Sequence, residues 1–280
     1  DRNGKIFDPQ AGVGDLKNNI VKFIGVPDQR IQEDYLRIVR FIRFSLQYPN
    51  NLIEKKTVKS IKLNLDGIKK LSKERIFSEL IKIFKLKNFN QITRMKDLNI
   101  IFSLIFPEFR YVHRLNKLDV LFKNKIDKIN TNLMLSLLLI DDSNNHEYFS
   151  HKYKISNKIK EKLSLMARSY KDYKTDKNYL KSNLTKNIYL IGKDNIQHLI
   201  IFLFLESEKM TEQNFLSYSQ NIKDVVIPKF PFNGSYLLSV GITEGKKIGL
   251  ALKELEKKWL ENEFSLSSEN LKKILKSLKN

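Results

Sequence analysis

The sequence predicts a mostly α-helical protein with a short β segment at its N-terminus. Three observations predict it. From Ile31 onward apolar residues recur at helical spacing. Before that point, Lys5-Ile6-Phe7 and Ile20-Val21-Lys22-Phe23-Ile24 read as two short strands separated by turns. No repeat of fixed period marks a solenoid or a propeller.

The elements follow in order. Asp8-Pro9 closes the first strand, Ala11-Gly12-Val13-Gly14 is a small-residue turn, and Gly25 ends the second strand. Two strands cannot make a stable sheet alone, so residues 1–29 are expected to be poorly anchored. Pro27-Asp28 opens a helix, with Asp28 available as a cap. One face of that helix carries Ile31, Tyr35, Ile38, Ile42 and Leu46, and the opposite face Arg30, Glu33, Asp34, Arg37, Arg40 and Phe44. Tyr48-Pro49-Asn50-Asn51 ends it. Further helices are expected over Ile53–Leu63, Ser72–Phe84, Phe89–Leu98 and Leu115–Asn124, then a buried core helix over Asn132–Ile140 and a loop over Asp141–Asn145. The pattern stays helical through Asn157–Arg168, Asn178–Leu184, Thr185–Ile191 and Ile196–Leu205. After a linker with Pro228 and Pro231, Gly241, Gly245 and Gly249 open a helix running to Asn262, and an amphipathic helix covers Ser268–Leu278.

Composition bounds the function. Hydrophobic residues make up 41% and charged residues 29% of 280 residues, as in a globular protein. The longest apolar candidate, Ile196 to Leu205, is too short to span a bilayer and holds His198, so no membrane role is expected. The start, Asp1-Arg2-Asn3-Gly4-Lys5, lacks the apolar core of a signal peptide, and a cytoplasmic location is expected. Asp1 in place of Met points to a piece of a longer protein or a gene fragment. Zero cysteines exclude disulfides and cysteine-based zinc sites. The net charge of +20 points to a polyanion partner, with nucleic acid as the expected one. Abundant Lys, Asn and Ile also fit an AT-rich coding bias, which inflates Lys but depletes Arg. The arginines are therefore the informative cations. Nine of ten lie within the first 114 residues, and Arg30, Arg37, Arg40 and Arg43 fall within 14 residues of one another. Their planar forks suit carboxylates, phosphates and base edges.

Glu33-Asp34-Tyr35-Leu36-Arg37 is the most specific signal. On a continuous helix Asp34 and Arg37 share one face, Arg40 and Arg43 extend that row, and Glu33 reaches Arg37 four residues on. A carboxylate only accepts hydrogen bonds and a guanidinium only donates. Cytosine and adenine each present an amino donor beside a ring acceptor, whereas guanine and uracil present the reverse order. An Asp–Arg pair therefore accepts C and A. The wrong base leaves buried groups unpaired, at about 1–3 kcal/mol each. Arg40 and Arg43 would then meet the triphosphate. Alone, the pattern also fits an exposed helix face laced with salt bridges worth about 0.2–0.5 kcal/mol.

The surrounding residues decide between these readings. Phe7-Asp8-Pro9, Gly12 and Gly14-Asp15-Leu16, followed by Ile24-Gly25, Pro27 and Arg30, resemble a motif of class II tRNA nucleotidyltransferases, the family of CCA-adding enzymes and bacterial poly(A) polymerases. Residues 33–44 are similar to its nucleotide-templating motif, and Ser72-Lys73-Glu74-Arg75-Ile76-Phe77-Ser78-Glu79-Leu80 to the neck motif that buttresses the templating helix. Ala11 stands where the family usually has a second Gly. Phe230-Pro231-Phe232-Asn233-Gly234, Gly241, Gly245, Gly249 and Trp259 resemble a tail segment of alphaproteobacterial-type members.

The resemblance implies a multi-helical neck, body and tail with a short β remnant of a nucleotidyltransferase head. The remnant would cover residues 1–29, the neck 30–90, the body 91–225 and the tail 226–280. It implies tRNA 3′-end processing, with CTP, ATP and tRNA as partners and Mg2+ as cofactor. Asp34, Arg37, Arg40 and Arg43 would bind the nucleotide. Glu33, Arg30, Glu74, Arg75, Glu79, Asp8, Gly12 and Asp15 would orient or support them, and Gly241, Gly245, Lys246 and Lys247 would touch RNA, although the glycines also fit tight turns and close helix packing. No Asp-x-Asp occurs in the chain, so no catalytic residue and no metal ligand is expected in it. Catalysis would need a metal-binding head, upstream in the same protein or as a separate head-domain chain. Poly(A) addition, or a non-catalytic RNA-binding remnant of a split gene, are the alternatives. His113, His146, His151 and His198 show no helical metal spacing, and the Lys-rich C-terminus reads as a solvated face.

Overall fold

The computed structural model describes all residues except 1, 5, 49–52, 125–128, 243–244 and 280, and leaves out the side chains at 270 and 277–279. It divides into two compact units, 1–174 with 198–215, and 175–197 with 216–280.

Among the described residues there is no β-strand, so the expected β remnant at residues 1–29 is corrected. Lys5, from the first expected strand, lies outside the described residues. The small-residue turn is instead the helix α1 (Gly12–Lys17). Asp8 caps it, its two carboxylate oxygens accepting from the N–H of Gly12 at 2.6 Å and of Val13 at 2.8 Å. Residues 20–23 run without regular structure and meet no partner strand. Ile20 and Ile24 are exposed. Phe23 stacks on Phe41, centroids 5.3 Å apart.

The expected helix from Pro27 to Tyr48 is two helices, α2 (Pro27–Glu33) and α3 (Leu36–Gln47). Asp34 breaks it. Its backbone is extended at φ −154°, and its Oδ1 accepts from the Leu36 N–H at 3.1 Å. Such a side chain offers the backbone an alternative to the helical ladder. The apolar face agrees with the expected one: Ile31, Ile38, Ile42 and Leu46 are fully buried. Asp28 is not the expected cap. Its carboxylate accepts from Ser60 Oγ at 2.8 Å and Asn64 Nδ2 at 2.9 Å, tying α2 to α4 (Lys55–Leu63).

After the 3-10 turn Leu65–Lys70, Ser72 caps α5 (Lys73–Phe84) by accepting from the Arg75 N–H. Ile76, Leu80 and Ile83 of α5 are buried at helical spacing, and α5 packs along α3. The 3-10 turns Phe89–Thr93 and Val112–Lys117 flank α6 (Lys96–Ile105), and α7 (Leu118–Lys123) follows. Phe84, Phe89, Phe102, Phe106, Phe109 and Phe149 form a continuous aromatic core. α8 (Thr131–Leu139) is buried from Leu133 to Leu139, as its apolar run requires. The helices α9 (Asn145–Lys152) and α10 (Asn157–Thr175) come next.

Residues 178–183, expected to be helical, are turns. They lead to α11 (Leu184–Ile191), α12 (Lys193–Glu206) and α13 (Glu212–Asp224). The second unit closes with α14 (Gly234–Ser239), α15 (Gly245–Glu261) and α16 (Ser268–Lys279) around Leu237, Ile242, Ala251 and Leu255. Tyr189, Phe230 and Phe264 pack edge-on against Trp259 in the same unit. No single helix among the described residues is long and apolar enough to cross a membrane.

Candidate functional site

The break between α2 and α3 sets the geometry of the arginine cluster. Glu33, at the last turn of α2, accepts from Arg30 Nη1 at 2.6 Å and from Arg37 Nη1 at 2.7 Å. The hydrogen bond from Arg37, followed by that from Arg30, holds the Glu33 carboxyl below its ordinary 4.5 against the opposing effect of desolvation. Arg37 also donates to the Arg30 carbonyl at 2.7 Å. Glu33 and Arg37 are thus in direct contact across the break between α2 and α3.

Arg30, Arg37 and Arg40 line one cavity of about 220 Å³ with Val21, Lys22, Phe23, Ile24, Phe41 and Phe44. The cavity brings cationic forks to an aromatic and aliphatic wall. Apolar walls with a few convergent polar groups are the usual build of a small-molecule site. Residues 21–24, from the segment expected to be poorly anchored, supply one side of it.

Asp34 and Arg37 do not stand side by side as a continuous helix would place them. Asp34 sits in the break and faces α5, where Arg75 Nη2 lies 3.2 and 3.3 Å from its two oxygens. Arg37 lines the cavity and Asp34 does not.

Arg43 differs from the expectation as well. Its Nε donates to Glu79 Oε2 at 3.0 Å, and its guanidinium lies over the Phe44 ring at 4.3 Å. Glu79 is buried and also pairs with Lys82 at 2.8 Å and with Arg40 at 3.5 Å. Burial pushes the Glu79 carboxyl up, but hydrogen bonds from Lys82 and Arg43, with their charges, outweigh it and hold it below the ordinary value. Arg43 is thereby a strut between α3 and α5, with Arg40 at the cavity. Glu74 is exposed, pairs with Lys154 at 3.8 Å and, among the described residues, makes no ion pair with α2 or α3. Arg75 and Glu79 do reach that region, Arg75 to Asp34 and Glu79 to Arg40 and Arg43.

Asp8, Gly12, Asp15 and Gly241 have structural tasks. Asp8 and Gly12 form the cap of α1, and Asp15 pairs with Lys22 at 2.8 Å. In the second unit, Gly241 takes φ +88° just past α14, a conformation that favours glycine. Gly245, Lys246 and Lys247 form the exposed first turn of α15.

The contact between Tyr35 and Gly67 is not signalled by the sequence patterns. A Cβ on Gly67 would lie 2.0 Å from the Tyr35 ring, so this ring is seated on glycine backbone. That seat fixes the residue next to Asp34. Gly67 within Asn64-Leu65-Asp66-Gly67 was the available signal, a glycine in a turn-forming stretch.

Among the described residues no three His, Asp or Glu side chains converge on a metal-sized point. Asp8 caps α1, Asp15 pairs with Lys22, and Asp34 is engaged by Arg75. The described residues do not fit the Mg2+ that the resemblance implies.

Fold and cavity define an all-helical scaffold that presents an arginine-lined, aromatic-walled recess. Residues 52–112 match the family described as "Probable RNA and SrmB- binding site of polymerase A". The chain is 28% identical over 281 aligned positions to the mitochondrial CCA tRNA nucleotidyltransferase 1 of Mus musculus, covering 98% of this chain and 62% of that protein. The CCA-adding enzyme of Lactobacillus helveticus is 46% identical over 83 residues, 30% of this chain and 21% of that protein. In fold, the chain is similar to the Bacillus stearothermophilus CCA-adding enzyme in complex with CTP, with a TM-score of 0.68 at 18% identity over 100% of this chain and 69% of that one. It is also similar to the Thermotoga maritima CCA-adding enzyme complexed with tRNA(CCA), with a TM-score of 0.56 at 24% identity over 96% of this chain and 67% of that one. The chain bears a family-level resemblance to the CCA-adding enzyme and poly(A) polymerase superfamily, hence to a nucleotidyltransferase. It spans 62% of the length of the mouse protein.

Proposed function

We propose that this chain is the nucleotide-selecting and tRNA-holding part of a nucleotidyltransferase that adds CMP and AMP, from CTP and ATP, to the tRNA 3′ end. The observation that carries the reading is the meeting of Arg30, Arg37 and Arg40 at one aromatic-walled cavity. Arg37, fixed by Glu33, offers donors to the ring acceptor of C or A, and Asp34 accepts from the amino group. Arg30 and Arg40 neutralise the phosphates. Arg43 acts at one remove, holding α3 against Glu79. The basic surface of the helices holds tRNA by phosphate contacts and shape. The Mg2+ of phosphoryl transfer, and the carboxylates that bind it, belong to a head upstream in the same protein or on a separate chain.

Equilibrium binding of the four nucleoside triphosphates to the chain tests the reading. CTP and ATP are expected to bind at least about tenfold more tightly than GTP and UTP, since each reversed base leaves buried groups unpaired. Arg37→Ala is expected to erase the difference. Equal binding of all four would remove the basis for base selection. With a metal-binding head supplied, the product formed on tRNA ending before CCA separates CCA addition from poly(A) addition.

A further inference from the structure

Reading C or A needs an acceptor and a donor side by side, and the structure holds them apart. Arg37 lines the cavity, while Asp34 is turned to α5 and engaged by Arg75 with both oxygens. The remaining bond of Asp34, from the Leu36 N–H to Oδ1, fixes the residue at the helix break, while Oδ2 is held by Arg75. Glu33 already holds Arg37 in place. The step missing from the pair is thus a movement of Asp34 and not of Arg37. Both Asp34 and Arg75 are partly in solvent, with side chains 26% and 50% exposed, so their bond is weak enough to exchange.

We propose that Arg75 is a positioning residue that competes with the incoming base for Asp34. Binding of C or A takes the Asp34 carboxylate from Arg75 and sets it beside Arg37. Guanine and uracil have no amino donor at that point, so they cannot displace Arg75. Arg75 therefore adds to selectivity from α5 without touching the nucleotide. The inference rests on the cavity being the nucleotide site.

The test is the affinity of Arg75→Gln for CTP, ATP and GTP. Removal of the competitor is expected to tighten CTP and ATP about two- to fivefold, the scale of an exposed ion pair, and to leave GTP unchanged. Arg75→Met, which keeps the packed stem, is expected to do the same. In an Asp34→Ala background neither substitution is expected to change CTP binding. A purely structural brace would loosen binding instead. On the unsubstituted chain, the Arg75 Nε–H resonance is expected to shift with CTP and stay in place with GTP. Unchanged or weaker CTP binding in variants with unaltered thermal unfolding overturns the proposal, as does a resonance that ignores CTP. If the unsubstituted chain binds neither CTP nor ATP, or Arg37→Ala binds them as well, the nucleotide site itself is wrong and the proposal falls with it. Loss of the Arg75 effects alone leaves that site standing.

Discussion

The Arg43 guanidinium on α3 donates to the buried Glu79 carboxylate on α5 at 3.0 Å, so these two packed helices are joined by an ion pair inside their contact. Lys82 and Arg40 add to the same carboxylate. Removing one partner of such a pair leaves a desolvated charge behind. Glu79→Ala is expected to cost about 1–3 kcal/mol, less than the 3–5 kcal/mol of a fully sealed pair because Arg40 and Lys82 reach solvent. The sign with pH follows from the lowered carboxyl. The stabilisation is present above the ordinary value of 4.5 and is lost as pH falls below it through the folded value. Urea unfolding at pH 7 and at pH 3.5 checks both, since the difference between the unsubstituted chain and Glu79→Ala should shrink at the lower pH.

Tyr35 lies against Gly67 with no room for a methyl group, the added Cβ meeting ring carbons at 2.0 Å. Gly67→Ala must therefore push the ring, and with it the Asp34–Tyr35 break. Overpacking of this kind costs about 1–3 kcal/mol. The variant is expected to unfold at lower temperature and to lose C/A selectivity together, because the displaced ring carries Asp34 with it. Thermal unfolding and CTP binding on the same sample decide the matter. Full selectivity in a destabilised protein would separate Tyr35 from base reading.

The apolar stripe of Ile31, Ile38, Ile42 and Leu46 was legible because burial follows helical period whether or not the helix is continuous. The break at Asp34 was not. The i,i+3 rule that paired Asp34 with Arg37 assumes an unbroken helix, and a carboxylate that captures the Leu36 N–H violates the assumption. Asp34 finds its cation 41 residues away on α5, a distance no local spacing reveals. The same limit hid the Tyr35–Gly67 seat. The β reading of residues 1–29 failed for another reason. Apolar runs of four or five residues fit strands and irregular segments alike, and only a neighbouring strand makes the difference. The helix α9 was missed because its residues, Asn145 to Lys152, carry little apolar periodicity. The arginine cluster was legible because rare arginines stand out by composition alone in a lysine-rich chain.

Arg114 is buried and caps the end of α8, donating to the carbonyls of Leu137 at 3.0 Å and Ile140 at 2.8 Å. Its guanidinium also lies 3.9 Å from the Tyr111 centroid, and Glu206 is 3.8 Å away. Arg114→Met keeps the stem but leaves two buried carbonyls without that donor and Glu206 without its cation. A cost of about 2–4 kcal/mol is expected. It should appear in urea unfolding of the whole chain, with nucleotide binding by the folded fraction unchanged. A loss under about 1 kcal/mol would mean that water replaces the guanidinium at no real cost.

His146 of α9 is buried, and its Nδ1 has no hydrogen-bond partner. Burial pushes its pKa below the ordinary 6.5, against the weaker pull of the Glu147 and Asp141 carboxylates. The ring is thus neutral in the folded chain at pH 7. The unfolded chain takes up its proton first as the medium becomes acidic, so protonation favours unfolding. The contribution is fully present above pH 6.5 and is lost as pH falls from there towards the folded value. The unfolding temperature of the unsubstituted chain is expected to drop between pH 7.5 and pH 5. His146→Asn, which keeps a polar side chain but cannot titrate in this range, is expected to flatten that part of the profile. The carboxylates act at lower pH, so the two effects separate along the axis. An identical slope in both proteins between pH 7.5 and pH 5 would show that His146 takes up its proton without leaving the fold.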